Sequence, residues 1–295
     1  MSGNRFWKKA GWFVVSLLPA ALSLAMQLGS AMVLLIIISF FVGFTRHGTG
    51  MNQAELADFA LNAFMRNIVW AVVLYQIMGI LVFGLWYYLV YGRKKRPAGV
   101  EKPGMKEIAV IVVLGCLLQI LISGLLGIIS MLFPDLLNSY AEMMKTAGIG
   151  ETTVAAFIAT VFFAPVGEEL LCRGIIFRLA GKVSSRFWVA NCIQALAFAI
   201  IHANLVQGAY AFLLGVILGY IYGKYRNIWV CMLLHGVINC SSNFVSYIWG
   251  ILPQKNEMLG VGLICALALV LTILVMKLLG EIKPVEENHG NMVSY

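Results

Sequence analysis

The chain has 295 residues, of which 61% are hydrophobic and only 12% charged, and its mean hydropathy is +0.89. A soluble domain carries about 25% charged residues, so this chain has roughly half of what a water-facing surface requires. That excludes a soluble enzyme and a nucleic-acid binder, and the net charge of +8 reads as orientation signal in basic loops.

The composition predicts an all-α, polytopic membrane protein, a bundle of about eight transmembrane helices. Eight apolar segments follow one another at 11–44, 68–91, 107–133, 153–181, 187–203, 208–223, 228–251 and 258–280. The first and fourth exceed the ~20 residues a crossing needs, and the sixth falls slightly short. Pro19 within the first suggests that part of it is kinked or interfacial. That segment is also much longer than the ~7 to 15 residues of a cleavable signal's apolar region.

Two loops carry amphipathic patterns. Leu56, Phe59, Ala60, Ala63 and Phe64 fall at helical spacing in 53–65, as do Leu136, Leu137, Tyr140, Met143 and Met144 in 136–144. Both predict helices lying in the membrane interface, with a structural role preferred over that of a lid or substrate guide. The polar tail from Pro284 to Tyr295 predicts disorder.

Basic residues test the eight-span reading. Alternate loops hold 16 Lys and Arg against 4 in the loops between them, with Arg173 left inside a span. That alternation places both termini in the cytoplasm, and the expected location is the plasma membrane. The sequence divides into 1–150, three spans with interfacial helices, 151–250, a four-helix core, and 251–295, a last span and tail, all within one integral-membrane domain.

All six cysteines lie in apolar spans, which gives no disulfide framework and no CxxC pair. Cys172 lies beside the polar cluster described next, where a small buried filler is preferred over a thiolate nucleophile or ligand. Gly215, Gly219 and Gly223 form a GxxxGxxxG run, preceded at the same spacing by Ala211, which predicts a close helical neighbour for the sixth span.

Ionisable groups in a bilayer are costly and usually functional. Of 13 carboxylates only Glu168 and Glu169 lie deep in a span, and of four histidines only His202 and His235 do. Glu169 and Arg173 are i, i+4 neighbours, a favoured ion-pair geometry, whereas Glu168 is rotated by about 100°. Arg173 would then neutralise Glu169 and leave Glu168 free for chemistry. Phe198 with His202, and His235 with Asn239, are further i, i+4 pairs.

At ~1.5 Å of rise per residue, Glu168, His202, His235 and Asn239 stand ~12 to 24 Å above the cytoplasmic edge, within a core ~30 Å thick. The four can meet if the fourth helix continues past Arg173 toward Lys182. Glu168, His202 and His235 would suit Zn²⁺ with an open water position. Without metal, Glu168 would deprotonate a water held by His202, and Asn239 and His235 would donate to the oxyanion. Either route gives hydrolysis of an acyl bond in the membrane.

Glu168-Glu169-xxx-Arg173, Phe198-xxx-His202 and His235-xxx-Asn239, in this order on successive helices, resemble the three motifs of the CPBP intramembrane protease family. That family is also called the Abi or CAAX-protease family and includes type II CAAX prenyl endopeptidases. The resemblance covers roughly 150–245 and departs from the pattern at no motif position. It implies an eight-helix bundle around a conical cavity that cleaves membrane-associated proteins or peptides, with the lipid bilayer as its other partner.

Carried over by position, Glu168 and His202 activate the water, His235 and Asn239 stabilise the oxyanion, and Glu169, Arg173 and Phe198 support the site. The resemblance leaves both the metal and the metal-free mechanism open. The HExxH, GxSG and GxGD motifs of other intramembrane proteases are missing, and Gly148-Ile-Gly150-Glu151, near the last, falls in a loop. A proton- or cation-coupled transporter is the rival from another class, although no second half echoes the Glu-Glu-xxx-Arg segment. An inert scaffold or immunity protein is the third reading.

Overall fold

In hydrocarbon every backbone polar group must be satisfied within the chain, so a run of apolar residues folds as a helix. The computed structural model describes residues 2–92, 103–146, 153–250 and 257–281, and among these every regular element is helical. In chain order they are α1 (Ser2–Thr45), α2 (Gln53–Asn67), α3 (Val69–Tyr87, extended by a π turn over Tyr88–Gly92), α4 (Met105–Leu132) and α5 (Pro134–Thr146). The composite α6 follows (Val154–Ala180), then α7 (Phe187–Ile200), α8 (Leu205–Tyr225), α9 (Ile228–Ser242), the short α10 (Val245–Gly250) and α11 (Glu257–Glu281).

Among the described residues seven helices are long and apolar enough to cross a membrane, and the protein is an integral, multi-pass membrane protein. Two expectations change. The sixth segment, expected to be short, forms a 21-residue helix, whereas the fifth is helical only over Phe187–Ile200, 14 residues or ~21 Å. It stops before the far side of a core ~30 Å thick, just short of His202. The first segment continues through Pro19 as one helix.

The composite α6 is central and packs against α1, α3, α7 and α9, while α4 packs against α9 and α11. Serines stand at every seventh position of α1, Ser16, Ser23 and Ser30, all buried, and Ser23 meets Tyr75 of α3. Small hydroxyl residues allow close approach, and each oxygen is satisfied nearby, at Phe13, Tyr75 and Gln27 respectively. The glycine run on α8 meets α7 as predicted. A side-chain carbon at Gly215 would lie 2.9 Å from Cα of Ala195, one at Gly219 would overlap Asn191, and one at Gly223 would overlap the Phe187 ring.

Both amphipathic stretches are helices. An Asn52–Glu55 capping box starts α2, which packs on α1. The other, α5, lies on the start of α8, where the Tyr140 and Tyr210 hydroxyls are 3.0 Å apart and Asn204 Nδ2 reaches Met143 Sδ at 3.5 Å. At the opposite end, Arg178, Arg186 and Arg226 line one cavity, and Lys182 sits 4.1 Å over the Trp12 ring. The Gly148–Glu151 stretch and the tail from Pro284 lie outside the described residues.

Candidate active site

Pro165 lacks an N–H and its ring crowds the carbonyl four residues earlier, so it sits poorly in a regular α-helix. In α6 the strain is taken up by a π turn over Ala159–Phe163, after which Ala164–Glu169 returns to α-geometry and a second π turn covers Leu170–Ile176. A π turn bonds i to i+5 and leaves nearby carbonyls for other donors. Asn239 Nδ2 of α9 donates to the Thr160 carbonyl at 2.8 Å. Gly236 makes that approach feasible, since a side-chain carbon there would lie only 3.1 Å from the Val161 carbonyl oxygen.

One α-helical turn presents both glutamates. Glu169 and Arg173 are wholly buried and paired, Nη1 to Oε1 at 2.9 Å, as the spacing predicts. The same Oε1 accepts from His235 Nδ1 at 2.9 Å. Arg173 Nη2 donates to the Gly215 carbonyl at 3.0 Å, where Gln194 Nε2 also donates at 2.8 Å. Its guanidinium lies 5.1 Å over the Phe198 ring. Charge on Glu169 is thus balanced by Arg173 on its own helix, and Oε1 also bonds His235 of α9.

Glu168 is not ion-paired with Arg173, and its side chain keeps 12% of its surface. His235 Nε2 lies 3.8 Å from its Oε2, and Gln76 Nε2 of α3 donates to Oε1 at 3.5 Å. His235 therefore spans both carboxylates, although the two glutamates leave the helix in different directions. With Nδ1–H given to Glu169, Nε2 can donate only when the imidazole is doubly protonated.

His202 lies just beyond the end of α7, in a turn followed by Ala203 at the left-handed φ of 50°. Its Nδ1–H donates to the Phe198 carbonyl at 2.7 Å, which fixes the tautomer and leaves Nε2 as an acceptor. Non-helical backbone at membrane depth needs protein partners or a wet cavity. Here Gln27 Nε2 of α1 donates to the Ile201 carbonyl at 3.0 Å.

Phe198 joins the parts. Its ring is edge-on to His202 at 4.9 Å and to His235 at 5.7 Å, with Arg173 on its face. Glu168, Glu169, Arg173, His235 and Asn239 are thus linked by contact through α6 and α9, and His202 joins through Phe198. Cys172 is fully buried among core side chains, as a filler would be.

The three residues considered for Zn²⁺ are not gathered as a ligand set. His235 has both ring nitrogens facing the glutamates, and among the described residues no three His, Cys, Asp or Glu side chains are placed to hold a metal ion. The arrangement does not fit a three-ligand zinc centre.

Several polar contributors carry no charge and escape a search for ionisable groups: Gln27, Gln76, Asn191 and Gln194. The usable signal is an amide in an apolar span, since its burial is unfavourable without a partner.

No curated protein and no solved structure matches the chain. One family does, and it supports a membrane endopeptidase in general. Residues 150–241, which hold α6 to α9 and every motif residue above, match the family described as type II CAAX prenyl endopeptidase Rce1-like, the family that the motifs resemble.

Proposed function

We propose that the protein cleaves peptide bonds of membrane-associated substrates with a water activated by Glu168 and His202. The observation that carries this reading is the pairing of inequivalent glutamates. Glu169 is neutralised by Arg173 and bonded by His235, while its neighbour Glu168 keeps a partly open carboxylate beside the His235 imidazole, and the Phe198 ring links His235 to His202. A carboxylate so placed takes a proton from water as the oxygen attacks the scissile carbonyl. His202 Nε2 accepts the second water hydrogen and orients the attack.

The carbonyl oxygen then becomes an oxyanion. Asn239 holds its amide in place with one N–H on Thr160, leaving the other for the oxyanion, and His235 Nε2 is the second group that faces it. Collapse of the tetrahedral intermediate breaks the C–N bond, and the proton held by Glu168 passes to the leaving amine. The family match favours a prenylated C-terminal peptide as substrate, and the alternation of basic loops favours both termini of the enzyme in the cytoplasm. A lipid-modified C-terminus would reach the site from the bilayer.

The test uses purified protein in detergent and a farnesylated fluorogenic peptide of the CAAX type. The intact protein should cleave it, Glu168→Ala and His202→Ala should each abolish cleavage while remaining folded, and a strong chelator should leave the rate unchanged. Retained activity in either variant overturns the water-activation scheme. Loss in chelator together with bound zinc would move Glu168, His202 and His235 to ligand roles. If Glu168→Ala abolishes only proton-coupled uptake in proteoliposomes, the protein is a transporter.

A further inference from the structure

The site described so far draws its charged groups from α6 to α9, yet the nearest donor to the free carboxylate comes from elsewhere. Gln76 is in the middle of α3, 5% exposed, and its Nε2 is 3.5 Å from Glu168 Oε1. The other carboxylate oxygen, Oε2, faces His235 Nε2. Glu168 therefore has the Gln76 amide as hydrogen-bond donor on Oε1, while Oε2 only faces the His235 ring at 3.8 Å.

The local packing is shaped around this amide. Gly167 precedes Glu168, and a side-chain carbon there would lie 3.3 Å from Gln76 Oε1 and 3.6 Å from Ile80 Cγ1. Glycine lets α3 come close enough for a side chain of glutamine length to reach the carboxylate. The preceding residue fixes α3 against α1, because the Tyr75 hydroxyl meets Ser23 Oγ at 2.8 Å and also contacts Gln27. Gln27 in turn holds the carbonyl of Ile201, next to His202. One polar strip on α1 and α3 thus touches the supports of both water-activating residues.

We infer that Gln76 is a positioning residue that aims the Glu168 carboxylate at the attacking water. The inference rests on Glu168 acting as the base. A neutral amide suits the task, since it holds the carboxylate without neutralising it as Arg173 neutralises Glu169. Without it, Glu168 rotates about its last torsion, which for a carboxyl group is broad and shallow. Substrate binding would be little affected.

Gln76→Leu and Gln76→Glu separate aiming from packing. Loss of one hydrogen bond to a charged group should lower kcat on the farnesylated peptide by about 10- to 100-fold with KM nearly unchanged. Gln76→Glu keeps the size but opposes a second carboxylate to Glu168, so its loss should be greater than that of Gln76→Leu. A packing role predicts the reverse order, because the glutamate is closer in shape.

Infrared spectroscopy supplies a readout independent of turnover. The Glu168 carboxylate band, assigned by its disappearance in Glu168→Gln, should shift in Gln76→Leu as one oxygen loses its donor. An unshifted band, or an unchanged kcat, overturns the positioning role. Should Glu168→Gln itself retain full activity, the base assignment falls, and the infrared band still decides whether Gln76 holds the carboxylate.

Discussion

The two halves of the bundle handle polarity in hydrocarbon differently. In α6 to α9 the polar groups include a fully buried ion pair and an imidazole spanning two carboxylates, while α1 to α5 reach the same region with hydroxyls and amides. A charge in a low-dielectric interior demands specific compensation, whereas a neutral amide is content with one or two hydrogen bonds. The half formed by α6 to α9 therefore holds the charged groups, and the half formed by α1 to α5 holds neutral groups that reach them. Mutations should separate the halves by the size and kind of their effect.

The largest effect is expected in the charged half. Arg173→Met removes the guanidinium that balances the buried Glu169 carboxylate, leaving it only His235 Nδ1, and takes one of two donors from the Gly215 carbonyl. Breaking a buried pair by removing one partner costs about 3–5 kcal/mol. Unfolding in detergent should show a loss of that order, and Arg173→Met combined with Glu169→Gln should recover much of it. If the single variant is as stable as the parent, Glu169 is not an anchor and its division of labour with Glu168 is wrong.

A smaller effect, felt more in rate than in stability, is expected from the amide half. Gln27→Leu leaves the Ile201 carbonyl unpaired where α7 has already ended. The stability cost should be about 1–3 kcal/mol, that of an unsatisfied buried acceptor. Cleavage should fall further than global stability explains, because His202 is the next residue. A rate that merely follows the folded fraction would show that α1 supports the bundle but not the site.

The difference between the halves also explains what could be read beforehand. Eight apolar segments, their order and the two amphipathic helices follow from composition and periodicity, because hydrocarbon leaves the backbone few alternatives. Glu168, Glu169 and Arg173 stand out because charge in a span is rare, and the i, i+4 spacing correctly pairs Glu169 with Arg173. The early end of α7 is harder to foresee, since Ile200, Ile201 and Ala203 look like continuing helix. It is stabilised by partners distant in sequence, such as Gln27, 174 positions earlier. Gln76 escapes for the same reason, because nothing near it in the chain reveals that a carboxylate 92 residues later faces it.

The smallest effect belongs to α5, where structural and lid roles differ in what they predict. Tyr140 is buried and its hydroxyl meets that of Tyr210, so Tyr140→Phe removes one hydrogen bond worth about 0.5–1.5 kcal/mol. Burial raises the Tyr140 phenol above its ordinary value of 10.0, opposed in part by the bond to Tyr210. A raised folded-state value means that the docked helix favours the neutral phenol. Its contribution is complete below pH 10.0 and is lost as pH rises past that value toward the folded one. A nitroxide pair bridging α5 and α8 should therefore show a fixed distance at neutral pH that lengthens in strong alkali, and Tyr140→Phe should lack that alkaline step. If Tyr140→Phe also changes KM for the farnesylated peptide at neutral pH, α5 takes part in admitting substrate. If only the local opening of 134–146 changes, α5 is a structural cover over the turn that carries His202.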